Sequence, residues 1–215
     1  MTVLAYCITE TEPDIQVPSR GLEGQAIRSL TESGLRCFIS DYGKEAAGKP
    51  VRESALTFSR VLQDIFGQVA IIPFCFPTLL PSESEISDFV RENAAEYRKA
   101  LSRLRDSVQM DVHIGFCDPE QKLEARDESG TDYLRKRLSR HQHLEGVAEE
   151  FRRAAQPLIQ DWRQREVAAG IRGHALVARG LAASFLEKMA GIEIPADFNV
   201  RVTGPWPAAE FLKEK

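Results

Sequence analysis

Six consecutive apolar residues, Val3-Leu4-Ala5-Tyr6-Cys7-Ile8, constrain this chain more than any other feature. A strand with that sequence is apolar on both faces and needs a central place in a sheet. Neighbours for it follow directly. Residues 26–31 and 35–40 read as a hairpin joined at Glu32-Ser33-Gly34. Ala55, Phe58, Val61, Leu62 and Ile65 then make one apolar face of a helix that begins near Pro50 and stops at Gly67. A strand is predicted over 69–72. Ser82 and Glu85 have capping-box spacing, and Ile86, Phe89, Val90, Tyr97, Leu101 and Leu104 continue as a single helical stripe. Residues 108–116 are apolar at every second position, the period of a half-buried strand.

Half-buried strands need helices on their apolar faces, so the expected fold is α+β in two parts. Residues 1–118 form an N-terminal ferredoxin-like sheet covered by helices and completed by the strand at 108–116. Residues 119–215 form a helix-rich C-terminal α+β part. The boundary falls in the polar, charged stretch 118–130, which is flanked by Pro119 and Gly130. Beyond it, Leu144, Val147, Phe151, Ala154, Leu158 and Trp162 recur at three and four, a helical region that Pro157 should break or kink near Ala155. A strand at 171–178 and a short helix at 181–189 come next. The final strand alternates through Phe198, Val200 and Val202 and runs into Gly204-Pro205-Trp206-Pro207. Two prolines restrict the backbone around Trp206, so its ring is expected to pack on the body of the protein and anchor the chain end. No internal repeat is visible.

Composition narrows the function classes. With 215 residues, 43% hydrophobic and 28% charged, this is an ordinary globular composition. No apolar run approaches the roughly 20 residues of a membrane span, and the N-terminus lacks a basic segment followed by a hydrophobic one, so a cytoplasmic location is expected. The net charge is −4, with the acidic excess in residues 1–120, which argues against nucleic acid as a partner. The basic cluster Arg135, Lys136, Arg137 and Arg140 is interrupted by Leu134 and Leu138 and carries no interleaved aromatics, so it reads as a solvated helix face. Cys7, Cys37, Cys75 and Cys117 lie far apart without a Cys-x-x-Cys, and are expected to be reduced and mostly buried.

The histidines offer little chemistry. His141 and His143 sit two apart on a predicted helix and point in divergent directions, so no metal site is expected. Asp111 and His113 share the polar face of the 108–116 strand, an acid/base pair only if a pocket and a third group enclose them. No nucleophile motif and no phosphate loop accompany them; Gly21-Leu22-Glu23-Gly24 lacks the required spacing. No catalytic residue and no cofactor site are expected, and the chain is not expected to be an enzyme. A small-molecule-sensing or regulatory α+β domain without catalytic activity remains the alternative class.

The order of motifs resembles the gas vesicle protein F/L family (GvpL/GvpF). The strand 3–8, the segment Gly21-Leu22-Glu23-Gly24, residues 69–78 and Gly130-Thr131-Asp132-Tyr133-Leu134 match the family's series in order, and Gly204-Pro205-Trp206-Pro207 is similar to its C-terminal signature. Cys75 and Pro77 stand where the family has Arg and Gly, and Arg172-Gly173-His174-Ala175-Leu176-Val177 replaces Asn-Ala-Ala-Phe-Leu-Val. The resemblance implies an accessory protein of gas vesicle assembly. Its implied partners are the hydrophobic shell protein, bound during nucleation or growth, and other gas vesicle accessory proteins. The implied location is on gas vesicles in the cytoplasm, and Gly204, Pro205, Trp206 and Pro207 are implied as structural signature residues.

Overall fold

The computed structural model describes residues 2–43, 51–117, 130–168 and 170–213. Pro50 and the stretch 118–129 therefore lie outside the described residues. The chain divides into two compact units, Met1–Asp106 with Pro207–Lys215, and Ser107–Trp206.

The first unit contains β1 (Thr2–Glu10), β2 (Arg28–Glu32), β3 (Leu35–Tyr42), α1 (Val51–Phe66), β4 (Ile72–Leu80) and α2 (Glu83–Leu104). Its antiparallel sheet has the order β2-β3-β1-β4. As expected, β1 is central and apolar on both faces, with Val3 through Ile8 all buried. A bulge between Ala5 and Cys7 shifts its pleat, so Val3 and Ile8 reach one face together with Leu35, Cys37 and Ile39. That face is covered by Ile86, Val90, Ala94 and Leu101 of α2. Tyr6 points the other way, stacks on Phe58 of α1 at 5.1 Å between centroids, and accepts the Leu22 N–H at 2.9 Å. Thus α1 and α2 take opposite faces. The hairpin β2–β3 turns at Ser33 and Gly34, both with positive φ, the geometry a two-residue loop needs. Ser82 caps α2 by accepting the Glu85 N–H, as its spacing predicts.

The second unit contains β5 (Ser107–Phe116), α3 (Gly130–Ala155), β6 (Ile159–Val167), β7 (Gly170–Ala178), α4 (Ala182–Ala190) and β8 (Phe198–Trp206). Its antiparallel sheet has the order β6-β7-β5-β8. Counted within each unit, both sheets therefore share the order 4-1-3-2 of a ferredoxin-like fold, and the second also has the full β-α-β-β-α-β succession. Helices α3 and α4 touch each other and pack on β7, so that among the described residues of this unit no helix lies on the opposite face of the sheet. Val108, Met110, Val112 and Ile114 point to the covered face.

Three expectations are corrected. The 108–116 strand does not complete the first sheet; it is the central strand of the second, and the chain passes between units at Asp106 and Ser107 instead of residue 118. Alternation marks a half-buried strand and carries no information on which sheet it joins. As expected, Pro157 ends α3 at Ala155, but the stretch beyond it is not helical: residues 159–167 are a strand, and Trp162 belongs to β6. The strand predicted at 69–72 lies later, as β4.

Candidate functional site

The C-terminal signature forms the end of β8, an edge strand. Gln109 pairs with Trp206 while Asp111 pairs with Thr203, so β8 carries one extra residue in a bulge at Gly204-Pro205. Gly204 has φ +133°, and a Cβ there would lie 2.8 Å from Met110 Sδ and 2.9 Å from the Gln109 carbonyl oxygen, so glycine is required. Pro205 follows at the edge, where a missing N–H costs no ladder bond. Trp206 does not anchor the chain end: it is 36% exposed, opposite Gln109 on the face α3 and α4 leave uncovered, and its Nε1 donates to Thr203 Oγ1 at 3.3 Å. The anchor is Phe211, completely buried in the first unit, whose carbonyl accepts a hydrogen bond from Arg103 Nη2.

In the first unit the fourth strand is also broken. Ala5 pairs with Thr78 and Cys7 with Pro73, so residues 74–77 bulge out of β4. Thr78 Oγ1 donates to the Cys75 carbonyl at 2.7 Å and closes the bulge. Cys75 and Pro77, the two departures from the family pattern, both sit in it. Beside it runs a groove of about 390 Å³ with Ile72, Phe74, Phe89, Tyr97 and Leu212 among its walls and Asn93, Glu96 and Lys213 contributing polar groups. Phe74, Phe89 and Tyr97 form a continuous aromatic wall, with centroids 5.8 and 6.1 Å apart. Burial, and then the neighbouring Glu96, pushes the Tyr97 hydroxyl up, so it stays a neutral donor. Cys75 is exposed here and Cys117 is exposed in the second unit, so only Cys7 and Cys37 meet the expectation of buried thiols. Burial drives the Cys7 thiol well up and Cys37 to about 12.

The uncovered face of the second sheet is polar. Asp111 does not pair with His113; its Oδ1 lies 2.8 Å from Nδ1 of His174, the residue directly opposite on β7, and accepts a bond from Gln109 Nε2 at 2.8 Å. Burial pushes the Asp111 carboxyl up, but those bonds and the charges of His174 and Arg172 outweigh it and hold the group below its usual range. His113 faces Arg172 on one side and Arg201 on the other, and Arg165 faces Arg172. One row across all four strands thus reads Arg165, Arg172, His113, Arg201. Burial, then the charges of Arg172 and Arg201, lowers the His113 pKa. The arginines were missed because each lies on a different strand; only register brings them together.

The remaining histidines diverge as the helical period requires: His141 lies near Glu145 and Glu166, whereas His143 meets the edge of Phe198. Of the expected solvated basic cluster, Arg140 instead stacks over Phe116 at 4.0 Å. Among the described residues, no group of three His, Cys, Asp or Glu side chains converges as a metal site would need, and no helix is long and apolar enough to cross a membrane.

Comparison with known proteins agrees with the fold. The structure is similar to the gas vesicle protein GvpF from Anabaena sp. PCC7120, with a TM-score of 0.79 at 14% identity over 100% of this chain and 97% of that one. It is similar as well to GvpF from Microcystis aeruginosa, with a TM-score of 0.75 at 13% identity over 99% of each chain. No curated protein sequence matches. The family model described as gas vesicle synthesis protein GvpL/GvpF matches residues 2–213. This chain therefore belongs to the GvpL/GvpF family of gas vesicle synthesis proteins.

Proposed function

We propose that this protein is a non-catalytic accessory factor of gas vesicle assembly that holds the small, hydrophobic shell-forming protein during nucleation or growth of the shell. Family membership supports the assembly role. The aromatic groove beside β4 is the observation that carries the shell-binding step. A shell subunit is apolar before it is built in, and a groove walled by Phe74, Phe89 and Tyr97 offers its side chains a place out of water. Strand addition at β4 is disfavoured, because Pro73, Pro77 and the bulge leave the edge without a regular row of donors. The mode that fits is therefore an apolar helix face or loop laid into the groove, on the vesicle or with other accessory proteins beside it.

Cys75 makes this testable, since it is exposed at the groove while Cys7 and Cys37 are buried. A photocrosslinker attached at Cys75, with Cys117 changed to Ser, should form an adduct with co-expressed shell protein. The same reagent at Cys117, with Cys75 changed to Ser, should give far less. Equal adducts from both sites, or adduct from Cys117 alone, would exclude the groove.

A further inference from the structure

Like charges set directly opposite one another weaken a sheet, yet Arg165, Arg172, His113 and Arg201 fill one complete row across β6, β7, β5 and β8. The carboxylate of Asp111 lies in the next row of the same face, where it interacts with Arg172. Arg165 and Arg201 are exposed at its two ends, and Arg172 and His113 are half-buried between them. Strands lie about 4.8 Å apart, so the three arginines follow one another at steps of about 5 and 10 Å, along a line perpendicular to the strands. An arginine row of this kind is complementary to carboxylates at matching steps, which a helix supplies from residues four and seven apart.

The same chain carries that pattern. Helix α2 buries Ile86, Val90, Ala94 and Leu101 and exposes Glu96, Glu92 and Glu85 on its opposite side. By the helical rise these three are spaced about 6 and 10.5 Å along the axis, close to the arginine steps and in only one direction along the row. Asp88 flanks the stripe and is paired with Arg91 at 2.8 Å. We propose that the row Arg165, Arg172, His113, Arg201 docks the α2 stripe Glu96, Glu92, Glu85 of a second copy of this chain. In that register Glu96 meets Arg165, Glu92 meets Arg172 and Glu85 meets Arg201.

The contact is heterologous: every copy offers one row and one stripe, so association does not stop at two. It is also polar and rim-like, which makes it weak and sensitive to salt. A nucleic-acid strand fits less well, because the row has no aromatic platform and the chain's net charge of −4 repels polyanions. The proposal does not depend on the shell-binding reading: Glu96 also borders the groove, but sedimentation of the chain alone involves no vesicle component.

Sedimentation velocity on the purified full-length chain tests it. At about 20 mM NaCl the average mass should rise with protein concentration, and the association constant should fall at least tenfold by about 500 mM. Arg172→Glu with Arg201→Glu should remove association, as should Glu92→Arg with Glu96→Arg. Mixing these two variants should restore a 1:1 complex that grows no further, because the first keeps its stripe and the second its row. Melting temperatures close to wild type establish that both variants fold; should one not fold, Arg201→Ala alone must still weaken association severalfold. A wild-type chain that stays monomeric at low salt overturns the proposal. So does association that survives high salt, a mixture that forms no complex, or a monomeric chain that instead binds a short single-stranded oligonucleotide.

Discussion

β1 and β5 occupy the same position in sheets of the same order, yet one reads Val-Leu-Ala-Tyr-Cys-Ile and the other Val-Gln-Met-Asp-Val-His-Ile. The difference lies above and below each sheet. In the first unit α1 and α2 take opposite faces, so every side chain of β1 from Val3 to Ile8 must be apolar. In the second unit α3 and α4 share one face, and β5 can alternate Val112 and Ile114 with Asp111 and His113. One topology thus yields a sheet that is apolar on both faces and a sheet with one charged and polar face, on which His174 and Gln109 are buried and Arg201 is exposed. Both fourth strands are interrupted against the first by a proline-bearing bulge, at Pro77 and Pro205.

A buried carboxylate should separate the two sheets most sharply. Leu4→Asp places a charge where no water or partner reaches and should cost about 5 kcal/mol or more, with loss of hydrogen-exchange protection in β1, β3 and β4. His113→Asp in the second sheet sets a carboxylate between Arg172 and Arg201 and should change stability by no more than about 1 kcal/mol. Similar losses for both would end the distinction between the two sheets.

The two aromatic residues near the chain end give the next largest contrast. Phe211→Ala empties a fully buried site in the first unit and should cost about 3–5 kcal/mol. Trp206→Ala, on the open face of the second, should cost about 1 kcal/mol by urea titration, since its ring is already partly in water. The reverse ranking would return the anchoring role to Trp206.

The smallest effect is one of pH. Burial, then Arg172 and Arg201, holds the folded His113 pKa below its unfolded value of about 6.5. As pH falls below about 6.5 the unfolded chain takes up the proton first, so stability is lost in that direction. Asp111, with its lowered pKa, contributes a separate loss only below about pH 4. His113→Gln should flatten the slope of urea midpoints between about pH 7 and 5.5 and leave the acid limb in place. Parallel slopes in mutant and wild type would contradict this.

Local signals announced most elements of this fold. The capping pair Ser82 and Glu85, the Ser33-Gly34 turn and the stripe of α2 all appear where the sequence predicts them. What failed was non-local. Leu158 and Trp162 continue the four-residue step of α3 and so imitate a helix, although Ile159 already starts β6. The sharing of one strand order by two unlike sequences left no repeat to read, since order depends on pairing partners far apart in the chain. The candidate sites follow the same rule: the groove joins Phe74, Phe89 and Leu212, and the row of Arg165, Arg172, His113 and Arg201 joins four strands.

Because Pro207–Lys215 belongs with Met1–Asp106, the first unit is written in two instalments with an entire second unit between them. On a ribosome, the segment up to Asp106 emerges without Phe211 to fill its core or Leu212 to complete the groove wall. The second unit can fold while it waits, and docking of the tail then closes a loop of about a hundred residues at an entropic cost that grows only slowly with length. The groove therefore lacks the Leu212 side of its wall until the segment after Trp206 has docked on the first unit.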